Sequence, residues 1–534
     1  MNLSKTKNIP PFLCWGICYF VLVGLISVRL GQDVSWDLRN YHFYNPYMLL
    51  TGRMKYDILP AQIQTFFNPL IDVPFFIFIY YLKIPPLVFG FFWGGLHGLN
   101  LWLIHKIVYH SLLNIKNYTR HFLSCFAALT GLWGAAYYSE IGTVIGDSTS
   151  SLFILTSLLI IVYHLANFGK LSLRNIIIAG FLTGLGVGLK LTVALYGIAL
   201  IISINFIRNK LQEKFLNLLA LMSSMFAGFL VTAGYWMVLM WLNFSSPLFP
   251  FFNKFFKSPY IRTDFDLKDT RFLPRDIWQS LFYPFYFTKK QSLVAELEFQ
   301  DSRLAIAYIF VIIFLIFLVI KFIQKINRTS YNIVNPSVIF LIVPFYVASY
   351  LIWLKLFSIY RYLLVLELLT PVLIILILGY IYPSRKVLLV LSAILFTVMI
   401  TTTKPLDWSR LPWQSNYFGI ETKALKKYEN KVIVMWGDDG NSYLVPYFPS
   451  STRFVRIQGN TGLEKGTLLQ KKANQIIENT PDENLYLLDI SPDQLNPEEK
   501  QSQKDYKLLV DYQNCQQFST HVAKYSICPL RKLE

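Results

Sequence analysis

The sequence predicts an all-α polytopic membrane protein of about 11 transmembrane helices, followed by a small C-terminal α/β domain. Hydrophobic residues make up 54% of the 534 residues and the mean hydropathy is +0.43, whereas a soluble domain is about 45–50% apolar. The excess lies in repeated apolar blocks of roughly 18–25 residues, the helix length that crosses about 30 Å of hydrocarbon. Lysines and arginines fall in alternate loops between these blocks, which separates the loops into two sides of a membrane.

Eleven spans follow from the positions of the apolar blocks. Residues 175–206 hold one charge, Lys190, and are split there into two short spans. Residues 70–82 are too short to cross, so we expect a juxtamembrane or re-entrant helix. No small-residue cleavage site follows the first block, which indicates a retained span. The spans are residues 11–30, 86–107, 121–138, 150–168, two within 175–206, 215–242, 304–322, 333–355, 359–381 and 386–402.

The net charge of +18 is concentrated in the loops that these spans assign to the cytoplasm. An inner excess of Lys and Arg is typical of membrane proteins, so the basic balance indicates topology and contact with anionic lipid. We expect no nucleic-acid partner, a cytoplasmic N-terminus and an extracytoplasmic tail. The inner loops hold Lys5, Lys7, Lys106, Lys116, Arg120, Lys170, Arg174, Arg208, Lys210, Lys214, Lys321, Lys325, Arg328, Arg385 and Lys386, with Glu213 as their one acid.

Two domains are expected: a transmembrane domain, residues 1–403, with outer loops 31–85, 139–149 and 243–303, and a soluble domain, residues 404–534. The soluble domain alternates β-type runs at 431–436, 453–457, 485–490 and 507–512 with a helical spacing at 464–478, which is typical of an α/β fold. Its two cysteines, Cys515 and Cys528, form either a disulfide in an oxidising compartment or two free thiols.

Several function classes are excluded by where the polar residues lie. No inner loop exceeds about fifteen residues and none carries a glycine-rich phosphate cradle, so the cytoplasmic side has no room for a nucleotide-binding domain. Nucleotide-activated donors are cytoplasmic. An enzyme of this design would need its activated group delivered on a lipid, on the extracytoplasmic side.

The first outer loop holds the densest set of reactive side chains. Ser35 is expected to cap a short helix, with Asp37 in its first turn, where the helix dipole favours an ionised carboxylate. The competing interpretation is an interfacial amphipathic helix with belt aromatics. The polar and aromatic residues of this loop are Asp33, Asp37, Arg39, Tyr41, His42 and Tyr44. Tyr41 and Tyr44 follow Asp37 by four and seven residues, so we expect them on the same face of the helix as Asp37.

Further candidate residues lie at three later positions on the outer side. Glu140 and Asp147 fall in the second outer loop, Lys190 interrupts a glycine-rich apolar hairpin, and Tyr360 and Arg361 begin a late span. A buried Lys needs an anion or a route to the surface, and Arg can bind a phosphate through two parallel hydrogen bonds. The alternatives are that Asp147 caps a span, that Lys190 snorkels and that Arg361 is an interfacial anchor.

Three segments in this order, WDLRNYHFY (36–44), EIGTVIGDS (140–148) and LTGLGVGLKLT (182–192), resemble the GT-C superfamily of membrane glycosyltransferases. The resemblance is to the protein mannosyltransferase and aminoarabinose-transferase type, and it covers roughly residues 1–400 but not the tail. Many relatives carry an Asp-Glu pair in the first loop, whereas Leu38 follows Asp37 here. Asp33 and Asp37 therefore both stay candidates for the catalytic base.

The resemblance implies an inverting transfer of a sugar from a polyprenyl-phosphate donor to an acceptor hydroxyl. The acceptor could be a glycan, a lipid or a protein, and the location would be the inner (plasma) membrane of a bacterial cell. No cofactor is certain, and a divalent cation is possible because relatives differ and two acids alone do not specify a site. The implied roles are general base for Asp37 or Asp33, donor-phosphate binding for Lys190, Arg361 and Tyr360, and acceptor or metal support for Glu140 and Asp147.

Three other functions compete with sugar transfer: a transporter or flippase of a lipid-linked glycan, an O-antigen-type polymerase or ligase, and a scaffold whose tail binds a partner. A transporter usually places its ionisable residues near the bilayer midplane on repeated halves, and no repeated halves are found here. The transferase interpretation expects Asp37, Asp147, Lys190 and Arg361 to converge on one outward cavity.

Overall fold

The computed structural model describes residues 11–207, 210–324, 333–459, 463–490, 501 and 503–533. Lys5, Lys7, Arg208, Lys325 and Arg328, which contribute to the predicted inner charge, lie outside these ranges. The α-helices are α1 (Pro11–Leu30), α2 (Tyr44–Thr51), α3 (Val73–Phe76), α4 (Pro86–Ser111), α5 (Asn117–Leu132), α6 (Ala135–Glu140), α7 (Asp147–Phe168), α8 (Leu173–Leu189), α9 (Ala194–Ile204), α10 (Leu211–Phe244), α11 (Asn253–Phe256), α12 (Ile277–Tyr286), α13 (Arg303–Ile323), α14 (Pro336–Leu356), α15 (Leu364–Ile381), α16 (Arg385–Thr402), α17 (Thr422–Leu425) and α18 (Leu468–Glu478).

The β-strands are β1 (Gln32–Asp33), β2 (Arg410–Leu411), β3 (Val432–Met435), β4 (Arg453–Arg456), β5 (Leu485–Asp489), β6 (Leu508–Val510), β7 (Gln516–Ser519) and β8 (Lys524–Lys532). Two short π-helical turns, Leu38–His42 and Ile77–Tyr81, lie in the first outer segment. The chain is thus mostly helical with a small C-terminal sheet, as the sequence predicts.

Eight helices within the described residues are long and apolar enough to cross a membrane. They are α1, α4, α7, α10, α13, α14, α16 and the continuous segment Tyr360–Ile381, which joins a 3-10 turn to α15. Each coincides with a predicted span. The other three predicted spans correspond to α5, α8 and α9, which have 16, 17 and 11 residues. The chain is therefore a membrane protein, but a count of eleven crossings is not confirmed.

The predicted break at Lys190 is confirmed. α8 ends at Leu189, the backbone of Lys190 is extended at φ −147° and ψ 109°, and a 3-10 turn precedes α9. α8 also packs very closely on α10, because a Cβ added to Gly184 would lie 1.9 Å from the Met225 carbonyl oxygen. Small residues allow this kind of backbone-to-backbone contact between helices in membranes, which explains the glycines of the hairpin.

The chain forms two compact units that differ from a simple division at residue 403. The first is Met1–Arg29, Phe91–Thr232 and Lys268–Trp408, and the second is Leu30–Gly90, Ala233–Leu267 and Ser409–Glu534. The second unit therefore groups residues 409–534 with the whole of the first outer loop, the end of α10 and the start of the long loop after it.

The sheet of the second unit has the strand order β4-β3-β5-β8-β6, and β7 also pairs with β8. β3 is parallel to β4 and β5, whereas β8 is antiparallel to β5, β6 and β7. The four predicted runs form β3, β4, β5 and β6, and the helical spacing forms α18. The sequence analysis missed β7 and β8. Cys515 and Cys528 form a disulfide, which settles the alternative left open by the sequence.

Part of the first outer loop, residues 31–85, folds together with the C-terminal tail. Gln32 and Asp33 pair with Leu411 and Arg410 as a two-stranded ladder, and Ile58 bridges to Val455 beside β4. An extended segment at the edge of a sheet satisfies backbone groups that would otherwise invite association with another chain. The tail and the first outer segment are therefore one folded body.

A buried ion pair fixes this association. Arg53 binds Asp57 through two bonds, Nε to Oδ2 and Nη2 to Oδ1, both 2.7 Å long. The same guanidinium donates to the carbonyl oxygens of Ser450 and Thr452, each at 2.6 Å. Such fork-shaped pairing adds geometric specificity to its charge, so it sets the register between the two segments.

Candidate active site

An ion pair between two predicted site residues lies at the meeting point of α7 and α8. Lys190 Nζ is 2.7 Å from Asp147 Oδ1, with the side chains 18% and 6% exposed. The same ammonium donates to the Ile145 carbonyl oxygen at 2.9 Å. Gly146, at φ +93°, lets the chain turn sharply into α7, and this places Asp147 in the first turn, where the helix dipole favours a carboxylate. The Lys that interrupts the hairpin thus meets an anion.

Glu140 is the second acid of this cluster. It is fully buried at the end of α6, and the backbone N–H and hydroxyl of Ser148 donate to its Oε2 at 3.1 and 3.3 Å. Burial, and then the neighbouring Asp147, raise the pKa of Glu140 well above its usual range, because both disfavour the charged form. Across the described ranges, Glu140 Oε1 and Asp147 Oδ2 accept no hydrogen bond. The cluster therefore keeps acceptor capacity on both acids.

Arg361 supplies a second cation to the same region. Its guanidinium carbon lies 5.4 Å from the centroid of the Tyr362 ring, and Lys190 Nζ lies 5.9 Å from the same centroid. The Tyr196 hydroxyl donates to the Tyr362 carbonyl oxygen at 2.5 Å, which holds this turn in place. A narrow cavity is lined by Asp147, Arg361, Tyr362 and Tyr196, among others, but not by Lys190 or Glu140. Asp147, Lys190, Glu140 and Arg361 therefore form one cluster inside the first unit.

Tyr360 has a different environment from the one predicted. Its hydroxyl donates to Asp301 Oδ2 at 3.0 Å, its side chain is fully buried, and it does not line the cavity. Its ring packs on Phe299 with 4.2 Å between centroids. In the structure Tyr360 contacts Asp301 and Phe299, and its binding of a donor phosphate stays a prediction.

The sequence analysis missed a fully buried charged cluster of Asp301, Arg303 and Glu367. Arg303 Nε lies 2.7 Å from Asp301 Oδ2, and Glu367 accepts from the backbone N–H groups of Ala136 and Tyr137 at 3.0 and 2.8 Å. The last two bonds hold the start of α6, the helix that ends at Glu140. The sequence did contain a signal for this cluster. Glu367 is a lone acid within the predicted span 359–381, and acids within membrane spans are rare and usually have charged or polar partners.

Asp33 and Asp37 belong to the second unit and differ in accessibility. Asp33 is 1% exposed, and its Oδ1 accepts from the Ser35 backbone N–H at 2.8 Å. Asp37 is only half-buried and begins the π-helical turn Leu38–His42. The Ser35 carbonyl oxygen accepts the first helical bond, from Arg39 at 3.1 Å, but its hydroxyl has no hydrogen-bond partner in the described part of the chain. The short helix thus starts where it was predicted to, but the Ser35 hydroxyl does not cap it.

The aromatic residues of this loop do not line up behind Asp37. A π-helical turn has more residues per turn than an α-helix, so the expected spacing of four and seven residues does not hold. The Tyr44 hydroxyl donates to Asp57 Oδ2 at 2.9 Å. His42 Nδ1 is 2.7 Å from Asp72 Oδ1, and the Tyr41 ring lies on His42 with 4.1 Å between centroids. Tyr44 therefore has a structural role, because its hydroxyl binds the Asp57 carboxylate that Arg53 also binds.

No group of three His, Cys, Asp or Glu side chains that could hold a metal ion occurs among the residues that the structure describes. Glu140 and Asp147 offer two carboxyl groups, and Lys190 already occupies one oxygen of Asp147. Hard divalent cations take six or more oxygen ligands, so a cation here would need oxygens from a substrate or water as well.

Replacing Glu140 with Gln should change how stability depends on pH. A carboxyl group with a raised pKa stabilises the fold fully below its unfolded pKa, and that contribution is lost as the pH rises through the folded pKa. Glutamine keeps the oxygen that accepts from Ser148 and does not ionise. We expect equal Tm values for Glu140→Gln and the native protein near pH 4.5 and a higher Tm for the variant at pH 8. Glu478→Gln, at an exposed site, should not change how Tm depends on pH. If Glu140→Gln shifted Tm by the same amount at both pH values, the raised pKa of Glu140 would be contradicted.

No protein-family model, curated protein or solved structure matches this chain. The resemblance to membrane glycosyltransferases therefore depends on the sequence motifs alone.

Proposed function

We propose that this protein transfers a sugar from a polyprenyl-phosphate donor to an acceptor hydroxyl at the extracytoplasmic face of a membrane. The observation that carries the proposal is the cluster of Lys190, Asp147, Glu140 and Arg361, of which Asp147 and Arg361 line a cavity at the ends of apolar helices. A lipid phosphate is an anion with an apolar chain attached, and this arrangement offers positive charge beside apolar helices.

In this reaction the bond between the anomeric carbon and the phosphate oxygen breaks, and a bond from that carbon to the acceptor oxygen forms. Negative charge grows on the departing phosphate, so Lys190 and Arg361 stabilise the transition state more than the ground state. The acceptor proton passes to a carboxylate, for which the sequence offers Asp37 or Asp33. A single displacement of this kind inverts the anomeric centre.

One of the two cations of the cluster is already paired before a donor binds. Asp147 already pairs with Lys190 at 2.7 Å, and Arg361 provides the second positive charge. A donor phosphate would compete with Asp147 for Lys190. When the phosphate binds Lys190, Asp147 would lose this ion pair. The extracytoplasmic orientation is supported by the Cys515–Cys528 disulfide, since such bonds persist in oxidising compartments.

The direct test is incubation of the purified full chain with a panel of polyprenyl-phosphate sugars, followed by mass analysis of released lipid phosphate. Lys190→Gln should lower donor affinity and turnover together, by about 10–100-fold in kcat/KM, because it removes a charge used in both the ground state and the transition state. The matched control is Lys170→Gln, an exposed lysine in the loop after α7, which should leave both unchanged. Equal activity of the two variants, or no release from any donor by the native chain, would remove the proposal.

A further inference from the structure

A second cavity lies wholly within the second unit. It is open to the surface, and the space between its lining residues, the open mouth included, is about 370 Å³. Three segments line it: the turn around Lys55 in the first outer segment, the end of α10 at Asn243 and Phe244, and α18 at Leu469 and Lys472. The cavity therefore joins the end of a membrane span to the soluble sheet domain.

The charge of this cavity is positive. Lys55 and Lys472 line it, and among the described residues neither ammonium pairs with a carboxylate. The one acid in the lining, Asp57, is already engaged by the guanidinium of Arg53, the hydroxyl of Tyr44 and the backbone N–H of Phe454. Because Arg53 cancels the charge of Asp57, the two lysines set the sign of the site, and an anion fits it.

The cavity also has an apolar part, which includes the last residue of a candidate membrane span. Phe66 and Phe244 pack edge to face with 4.7 Å between ring centroids, and Phe244 is the last residue of α10, a candidate span. Trp241 and Leu242, one turn earlier, are 56% and 70% exposed, as expected for residues in contact with lipid. Lys55 and Lys472 line the same cavity as Phe244, the last residue of this candidate span, and lysines near the end of a membrane span commonly contact lipid phosphate.

We propose that this cavity binds the phosphate headgroup of an anionic membrane phospholipid, with Lys55 and Lys472 on the phosphate and Phe66, Phe244 and Leu469 beside the start of the acyl chains. A soluble phosphate or carboxylate would use the two lysines but would gain nothing from the apolar part. The site is independent of the sugar-transfer proposal, since it uses none of Asp147, Lys190 or Arg361.

The test uses the delipidated full chain in detergent with equal amounts of phosphatidylglycerol and phosphatidylcholine, and counts bound lipids by native mass spectrometry. We expect the native chain to retain phosphatidylglycerol in preference, and the double variant Lys55→Gln with Lys472→Gln to lose one bound phosphatidylglycerol per chain, with about tenfold weaker retention. The matched control is Lys423→Gln with Lys471→Gln, which removes the same charge from two exposed lysines of the same unit and should retain the lipid. Unchanged Tm values without added lipid confirm that both variants fold.

Two results would overturn the proposal. One is equal retention of phosphatidylglycerol by the double variant and its control, which would place any bound lipid elsewhere. The other is displacement of the lipid by inorganic phosphate at a concentration equal to that of the lipid, which would show that the cavity recognises a free anion. Weak competition by inorganic phosphate and strong competition by dihexanoyl-phosphatidylglycerol support the lipid assignment.

Discussion

Arg303→Met is expected to lower the free energy of unfolding by about 3–5 kcal/mol, because removing one partner of a buried ion pair leaves the other charge uncompensated. Asp301 and Glu367 are both fully buried, and Arg303 is the cation that lies 2.7 Å from Asp301. Its Nη2 also donates to the Trp133 carbonyl oxygen at 2.9 Å, so the variant leaves several polar groups without partners. Equilibrium unfolding in mixed micelles measures the change.

The chain contains a matched control for this prediction. Asp269 and Arg271 repeat the spacing of Asp301 and Arg303 and also lie 2.7 Å apart, but the Arg271 side chain is 74% exposed. Exposed ion pairs contribute little because water screens them and both side chains lose freedom. Arg271→Met should therefore leave unfolding almost unchanged. Similar losses for the two variants would show that the buried cluster has no special role in stability.

Asp37→Asn is expected to remove most turnover, by about 10²–10⁴-fold, while leaving donor binding nearly intact. Loss of a general base has an effect of this size on the chemical step, and a residue that acts only in the transition state changes kcat without changing ground-state affinity. The half-buried position of Asp37 at the start of a π-helical turn leaves it more accessible to an acceptor than Asp33. Release of lipid phosphate and binding of the donor are measured separately.

Asp33→Asn is the comparison variant for Asp37→Asn. Asp33 is buried, and its Oδ1 accepts the Ser35 N–H, a bond that the amide oxygen of asparagine can also accept. We expect Asp33→Asn to keep a much larger share of the turnover than Asp37→Asn. The reverse order would make Asp33 the base, and full activity in both variants would exclude a catalytic role for the first outer loop.

The sequence predicted the parts of this fold that depend on local pattern. Block length located eight helices capable of crossing, and the single charge in an apolar hairpin located the break at Lys190. Asp147 was singled out separately, as an acid of the second outer loop, and the structure pairs it with that lysine. These features were accessible because hydrophobic length, helix termination and the high free energy of an unpaired buried charge each act over a few residues.

The features that were missed depend on contacts between distant segments. Glu367 accepts hydrogen bonds from residues 230 and 231 positions earlier, and no local pattern names those partners. The π-helical turn at Leu38–His42 changes which side chains share a face, so the periodicity argument failed for Tyr41 and Tyr44. The grouping of the tail with the first outer segment likewise follows from pairings, such as Arg53 with Thr452, that span most of the chain.

The joining of residues 53–60 to β4 has a consequence for biosynthesis. Arg456 donates through Nε to the Pro60 carbonyl oxygen at 3.0 Å, across a separation of 396 residues. At translation rates of about 5–20 residues per second, the early segment waits roughly 20–80 s before the ribosome delivers its partner. Throughout that interval the loop that carries Asp37 has no sheet to fold against, so a nascent chain becomes a complete protein only after its last strands have been synthesised.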